Sequence, residues 1–528
     1  MSSVLRSTIL IAFFTILAKI AGLVRIMVFG NQFGDSAVVD IFVAALRLPD
    51  LLFNLLILGT LSVAFIPVFV EYKNKNRAEA YEIASTIFNI VLIGMGVMGV
   101  MGAIFAPALT SIIVPGFDEN ARAETARLTR ILMLSPLIFS LSSVLTSVLQ
   151  SNKRFLLSAI APLFYTLSII GSVFWLYPVL GVAGIGWGAV IGALLHFLIQ
   201  LPQAVKLGLR PFSTFSWQHA GVKKIGRLFL PRILALDLGQ ISFLIVSIVG
   251  SALATGTIAR FYYAYDLQAV PLGIFAISFA VAAFPTMSEF FEKRDLAGFK
   301  RFFSRTAIQI LFLMIPISVL MLILRAQIVR LIPGGGPGTA FDFTATRLTA
   351  AAFGFFTLSL FAQGLTPLLA RCFFALQNTV IPLVISITAA ALNILLAIFL
   401  TRYFGGEALA LAFSVAAIFN MLALFLALRR RLGDLHDNFL LLHTIKILIA
   451  SIVMAAAAYL TLYAVAPLVD MTTYLGVLLQ ALSAIAVAIA VYLIAGLAVR
   501  LPETSQLLAI LKNWLTKFTT NLFTGLDT

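Results

Sequence analysis

Apolar residues run in blocks along this chain, interrupted by short clusters of charge, glycine and proline. The blocks fall near residues 8–31, 38–69, 84–114, 128–150, 154–176, 179–206, 228–252, 259–289, 302–331, 346–376, 380–402, 407–429, 442–466 and 472–499. Each is about 20 residues or longer, enough for a helix rising about 1.5 Å per residue to cross a hydrocarbon core of about 30 Å. The pattern predicts an all-α polytopic membrane protein with about fourteen transmembrane helices. Several blocks exceed the minimum length, and Pro49, Pro136, Pro271 and Pro316 lie inside them as expected kink points. The first block, within MSSVLRSTILIAFFTILAKIAG, starts like a secretory signal. It has no small-x-small cleavage site ahead of a polar mature region, and reads as the first span.

Composition agrees with that reading. Of 528 residues, 61% are hydrophobic and only 11% charged, with a mean hydropathy of +1.07, whereas soluble domains carry about 25% charge. The net charge of +15 and pI near 10.1 point to loops beside anionic lipid rather than to nucleic acid. Cys372 is the single cysteine, which excludes an intramolecular disulfide and a cysteine metal cluster. Of the four histidines, only His196 lies in an apolar run.

Cations gather in alternate loops, at Lys73, Lys75 and Arg77, Lys153 and Arg154, Lys206 to Arg227, Lys293 to Arg305, and Arg429 to Arg431. The opposite loops carry Asp35, Asp118, Glu119, Glu407 and Asp470, with Arg122, Arg127 and Arg347 as the main exceptions. The positive-inside rule then puts both termini in the cytoplasm, consistent with an even number of spans. Two segments have interfacial character: Pro211 to Phe229, which mixes aromatics with cations, and Glu503 to Phe523, an amphipathic tail with Lys512, Trp514 and Lys517. The alternatives for these two are a plain linker and a frayed tail.

The chain also repeats. VAFIPVFVEYKNK (Val63 to Lys75) aligns without gaps on VAAFPTMSEFFEK (Val281 to Lys293), matching Pro67 with Pro285, Glu71 with Glu289 and Lys75 with Lys293. Further on, LQSN (Leu149 to Asn152) pairs with LQNT (Leu376 to Thr379), each opening a new span. Spans 1–6 and 7–12 therefore read as two parallel copies of one six-helix unit, the arrangement that commonly surrounds a central alternating cavity. Expected boundaries are an N-terminal lobe at 1–206, an interfacial linker at 207–227, a C-terminal lobe at 228–431, two added spans at 442–499 and a cytoplasmic tail at 500–528.

Charges inside the spans are the candidate chemistry. One in mid-bilayer costs about 2.5 kcal/mol or more, so lipid-facing placement is excluded. Lys19 and Arg25 lie in the first span, Asp40 and Arg47 in the second, Arg232 and Asp237 in the seventh, Arg260 and Asp266 in the eighth, and Arg371 in the tenth. Lys19 and Arg25 are separated by about 9 Å of rise and about 120° of rotation, suited to the wall of a wide cavity. Such cations fit an anionic substrate, above all a phosphate or diphosphate. Interhelical ion pairing is the alternative, and snorkelling suits Arg47, Arg260 and Arg371 equally well. The loops show no His–acid pair, and PGGGPG (Pro333 to Gly338) lacks the following Lys-Ser/Thr of a phosphate loop and reads as a turn. No catalytic set is expected, so the chain is not read as an enzyme. Without a nucleotide site, transport would be passive or driven by an ion or voltage gradient.

Several motifs carry a family resemblance. GDSAVVDIFVAALRLPDLL followed by AFIPVFVEY, then NKRFLLSAIAP, QIS, FYYAYDL and ARCFFALQNTVIP, in consistent order over roughly the first 430 residues, resembles the MurJ/MviN family of lipid II flippases in the MOP exporter superfamily. The resemblance implies two six-helix lobes around a cationic cavity, with helices 13 and 14 bordering a groove for a polyprenyl tail. The implied substrate is a polyprenyl-diphosphate-linked peptidoglycan precursor, moved from the cytoplasmic to the outer leaflet of the bacterial inner membrane. Lys19 and Arg25 fall where the family has cavity cations, Lys19 replacing an arginine, and Asp40 falls on a family acid. The chain departs after RLP, with Phe53, Asn54 and Leu58-Gly59, and in YYAYD, where Tyr265 and Asp266 stand for an acid and an arginine. Arg47, Arg232 and Arg260 are the remaining cationic candidates for the cavity, with Asp266 beside them. A family sodium site near helices 7 and 11 implies Asp237, Asn378 and Asn393 as coupling candidates, with Na+ or H+ as the coupling ion and no other cofactor. Implied partners are the lipid substrate, membrane lipids and cell-wall synthesis machinery, the chain acting as a monomer.

Three rivals share the pattern in part. A flippase for another polyprenyl-linked oligosaccharide is consistent with the missing arginines. A drug exporter of the superfamily would not need the two added spans. A non-transporting scaffold in cell-wall assembly is the third. A polytopic glycosyltransferase would need acids in a long external loop, and the external loops here are short.

Overall fold

The protein is described here from a computed structural model covering residues 3–56, 61–233, 238–335 and 338–509. Among the described residues every regular element is helical. Hydrogen bonds within each helix satisfy the backbone, as a bilayer requires. The first copy of the repeat contains α1 (Ser3–Phe33), α2 (Ala37–Leu56), α3 (Leu61–Lys75), α4 (Arg77–Ile113), α5 (Glu119–Leu132), α6 (Leu134–Ser151), α7 (Leu156–Trp175), the short α8 (Tyr177–Leu180), α9 (Val182–Leu198) and α10 (Leu201–Leu207). Then come α11 (Ala220–Ile233), α12 (Leu238–Ser251) and α13 (Thr257–Pro271), which a π-helical turn at Leu272–Ala276 joins to α14 (Ile277–Glu292). The remainder is α15 (Leu296–Ile323), α16 (Arg325–Leu331), α17 (Phe343–Thr357), α18 (Leu360–Ala375), α19 (Val380–Phe404), α20 (Ala408–Leu432), α21 (Asp437–Val465) and α22 (Tyr474–Ala498).

Among the described residues eleven helices are long and apolar enough to span, and α17–α18, bent by 42°, makes a twelfth. The other two expected spans, 38–69 and 228–252, run through α2–α3 and α11–α12, each pair separated by four residues outside the described set. Proline explains one irregularity. Pro271 has no amide to donate, and a π-helical turn follows it directly, so the regular hydrogen-bond ladder is interrupted there. Large apolar side chains such as Ile104, Leu395, Leu460 and Ile494 are about two-thirds exposed, which only lipid contact makes tolerable.

Packing divides the chain into two compact units. The first comprises Met1–Tyr263, Ile332–Ala345 and Ile394–Leu409; the second comprises Ala264–Leu331, Thr346–Asn393 and Ala410–Thr528. The expected lobes follow the repeat, whereas these units follow contact, so α12 and the start of α13 fall with the N-terminal helices. The first unit has an aromatic and aliphatic core of Phe65, Phe69, Phe88, Val144, Leu145 and Val148, with the rings of Phe65 and Phe69 stacked at 5.3 Å. The second centres on Phe299, Phe303, Met314, Leu368, Phe373 and Ile447.

The repeat is visible in local structure. Pro67 and Pro285 sit inside α3 and α14, Glu71 and Glu289 pair with the lysines four residues on, and side chains of Asn76 and Asp295 cap the next helices. One detail corrects the sequence alignment. Helix α6 ends in a left-handed turn at Lys153 (φ 58°) and α18 in the same turn at Gln377 (φ 55°). In these turns the Arg154 amide donates to Leu149 O (2.9 Å) and the Asn378 amide to Phe373 O (2.8 Å). Lys153 therefore corresponds to Gln377, and the LQSN–LQNT match is displaced by three residues. The backbone joint is repeated, and the shared letters are not.

The segment read as interfacial is only half helical. Residues 211–216 are irregular, and α11 begins at Ala220. The segment docks on α3 and α4. Asn89 Nδ2 donates to Thr214 O (2.7 Å), Lys224 Nζ to Glu71 Oε2 (2.7 Å), and His219 Nε2 lies 3.1 Å from Glu79 Oε1. Phe212, Phe215 and Trp217 remain exposed, consistent with an interfacial face. The tail is helical over residues 502–509, and residues 510–528 lie outside the described residues.

Candidate transport site

The charged candidates do not share one place. Asp40 and Arg260 converge on an ionic latch in the first unit, at the acid-bearing ends of the helices. Asp40, in the first turn of α2, is 3% exposed and accepts the amides of Gly256 (2.6 Å) and Ala259 (2.7 Å) through its two carboxylate oxygens. It thereby caps the N-terminus of α13, where four amides lack intrahelical partners and the helix dipole favours an anion. One turn on, Arg260 Nη1 donates to Asp35 Oδ2 (2.7 Å) and Nη2 to Thr257 Oγ1 (3.1 Å), while Nε lies 3.5 Å from Glu407 Oε1. Asp35 and Glu407 were visible in sequence only as loop acids. An arginine in an apolar block needs an acid within reach, and these are the acids it finds.

Close backbone approach completes the latch. Gly256 has φ +87°, and a Cβ there would lie 2.2 Å from Asp35 O. A Cβ on Gly30 would lie 2.0 Å from Pro333 O. Pro333 thus packs on the end of α1, and Ile332–Gly334 forms the expected turn. The Ala340 amide donates to Asn31 O (2.9 Å), and the buried Tyr263 hydroxyl donates to Gly34 O (2.8 Å).

Arg25, Arg47 and Lys19 also belong to the first unit. Arg25 sits 5.9 Å from the ring centroid of Tyr262, and the guanidinium of Arg47, 8% exposed, lies 4.7 Å from that of Phe243. Arg25 and Asp50 are both within electrostatic range of the buried Tyr165 hydroxyl, so α1, α2 and α7 meet there. Asp50 stands in the RLPDLL motif and was not singled out; the desolvation argument applied to Lys19 and Arg25 would have found it. Lys19 is partly buried and, among the described residues, has no hydrogen-bond or ion-pair partner. Arg232 is on α11 with its side chain outside the described set, and Asp237 lies outside the described residues.

In the second unit Asp266 is partly buried on α13, beside Tyr265, whose ring packs edge-on against Phe356 and Phe413. Arg371 Nη1 donates to Pro367 O (3.3 Å). Of the coupling candidates, Asn378 accepts the Ile381 amide (3.0 Å) as the cap of α19, and Asn393 is buried on the same helix. No group of three His, Cys, Asp or Glu residues that could hold a metal occurs among the described residues.

The second unit also contains a long apolar groove of about 680 Å³. Leu311, Ile315, Leu365, Phe425, Leu441 and Leu448 line it, with Arg429 and Asp437 at one end. Those two form an ion pair at 2.6 Å. Span 13, α21, forms one wall, and α15, α18 and α20 form the others. Helix α22 contributes no lining residue and packs behind α21. Of the two added spans, α21 is therefore the one that lines this groove.

A polytopic helical fold with two parallel repeats is the architecture of a membrane transporter, and solved transporters share it. A solved MATE-family multidrug transporter of the MOP superfamily, in an inward-facing conformation, matches with TM-score 0.65 at 14% identity, over 80% of this chain and 96% of its own. A solved lipid II flippase MurJ in an inward closed conformation matches with TM-score 0.77 at 24% identity, over 93% of this chain and 99% of its own. The family model for the lipid II flippase MurJ matches residues 29–479. A probable lipid II flippase MurJ of Vibrio cholerae serotype O1 is 30% identical over 434 residues, 80% of this chain and 82% of the relative. One from Buchnera aphidicola subsp. Acyrthosiphon pisum is 28% identical over 466 residues, 87% and 91% of the two chains. This chain belongs to the lipid II flippase MurJ family, a family of transporters rather than of enzymes.

Proposed function

We propose that this protein carries lipid II from the cytoplasmic to the outer leaflet of a bacterial inner membrane by alternating access, with both termini in the cytoplasm. The latch carries this reading. It ties α1 and α2 of the first repeat to the start of α13 in the second through ion pairs and two helix-capping bonds, all reversible in water. Breaking and remaking such contacts is what exposure to one side at a time requires. Lys19, without a partner among the described residues, and Arg25 are the cations assigned to the diphosphate. The groove beside α21 suits an isoprenoid tail, being predominantly apolar apart from the Arg429–Asp437 pair. A Na+ or H+ gradient supplies the drive, with Asp237, Asn378 and Asn393 as coupling candidates.

The test is complementation. A bacterium depleted of its own flippase and expressing this chain should regain lipid II in the outer leaflet; no recovery with folded protein in the membrane would refute the assignment. A flippase for another polyprenyl-linked oligosaccharide is favoured by one observation, the Tyr265 ring in an aromatic box where the family has an acid. Recovery of that glycan's export without recovery of lipid II would select it.

A further inference from the structure

The joint between α6 and α7 opens on a basic cavity that none of the machinery above uses. It holds about 450 Å³ on the cation-rich side of the first unit. Lys153, Arg154 and Gln203 form its polar wall, and Leu10, Leu149 and Leu156 its apolar one. Lys153 and Arg154 are exposed, and among the described residues neither side chain has a hydrogen-bond or ion-pair partner. Leu156, nearly half exposed, continues the apolar wall outward.

The repeat shows that the arrangement is specific to this copy. In the second copy the same left-handed turn is followed by α19, and the side chain of Asn378 caps that helix by accepting the Ile381 amide at 3.0 Å. By the register of the two turns, Arg154 stands where Asn378 stands. Helix α7 accordingly starts after Phe155 with no side-chain cap. An internal acceptor has been exchanged for a cation, placing a guanidinium, an ammonium and the positive end of a helix dipole around one cavity. A phosphate oxygen is a natural acceptor for a guanidinium, an ammonium and free helix amides together. The apolar wall excludes a freely soluble anion as the best fit and matches the first carbons of acyl chains.

We propose that this cavity binds the phosphodiester headgroup of an anionic phospholipid from the leaflet on the cation-rich side. Lys153, Arg154 and the first amides of α7 hold the phosphate, and Leu10 and Leu156 flank the acyl chains. The bound lipid replaces the cap that the second copy carries within its own sequence.

The experiment uses the full chain, purified and reconstituted with phosphatidylcholine, then titrated with phosphatidylglycerol, with retained lipid counted by native mass spectrometry and Tm followed in parallel. The parent should retain phosphatidylglycerol and rise in Tm on titration. Lys153→Gln/Arg154→Asn, which restores the cap seen at Asn378, should keep the parent's Tm in phosphatidylcholine and bind phosphatidylglycerol about tenfold more weakly or worse. Arg154→Gln alone, a milder change, should show the same loss in smaller measure. Undiminished retention in either folded variant would overturn the proposal. So would a full Tm rise with millimolar inorganic phosphate alone, which would mark a soluble-anion site. These readouts do not involve transport, so they stand apart from the assignment of lipid II.

Discussion

Arg260→Met tests the latch most directly. The side chain is 8% exposed, and its two partners, Asp35 and Glu407, are 26% and 13% exposed. Methionine keeps much of the volume and removes the charge, leaving two carboxylates facing each other in a largely dry site. Removing one partner of a buried pair costs about 3–5 kcal/mol. The lower end applies here, because Asp35 is partly solvated and the Glu407 contact at 3.5 Å is ionic attraction without a hydrogen bond to Nε. A loss of about 3 kcal/mol shifts the ratio of latched to unlatched molecules about a hundredfold. The reporter is a cysteine at Ile258, 1% exposed beside the latch, reacted with a membrane-impermeant maleimide added to each side of the membrane in turn. Cys372 is fully buried and does not compete. Arg260→Met should raise the labelling rate by about the same hundredfold, and Arg260→Lys by less, since an ammonium reaches one acid but does not bridge two. An unchanged rate in folded Arg260→Met would refute the latch as the contact that holds this side shut.

Further outcomes follow from the same geometry. Lys19→Ala and Arg25→Ala should each abolish appearance of lipid II in the outer leaflet with folding intact, and unchanged transport would make both residues structural. Gly256→Ala should unlatch the same side, because its Cβ would lie 2.2 Å from Asp35 O at φ +87°. Gly226→Ala, with open space around it on exposed α11, should instead stabilise by about 0.5–1 kcal/mol in thermal unfolding. The Glu71–Lys224 clasp should hold between the carboxylate and lysine titrations. Lys224 holds the Glu71 carboxyl below its ordinary range, so the clasp is complete above the usual glutamate value and lost as pH falls through the lowered one. Glu71 raises Lys224, so the contribution fades again as pH rises through that raised value. Acrylamide quenching of Trp217 should be stronger in Glu71→Gln than in the parent at neutral pH, and the two should converge in acid. Equal quenching at neutral pH would show that the linker docks without this pair.

What the sequence determined by itself was the membrane class, the span positions and the family. Each rests on local physics: the transfer free energy of a block of about 20 residues is summed over neighbours in the chain, and its value does not depend on what packs beside it. The same arithmetic flagged Asp40, Arg260, Lys19 and Arg25 as charges in need of a reason. It also located the doubled Pro–Glu–Lys element that marks the repeat, because proline and i, i+4 pairs act within one helix. Tertiary structure alone decided which reason each charge has. Arg260 meets Asp35 across 225 positions and Asp40 meets Ala259 across 219, distances over which no periodicity carries information. Whether an acid near a span end is a solvated loop residue or half of a buried latch depends on which helix ends pack against it. The register of the second joint is decided the same way, since a left-handed turn is recognised by its backbone and not by shared letters. Sequence showed that the charges had to be satisfied, and only the fold, by bringing α2, α13 and Glu407 together, supplied their partners.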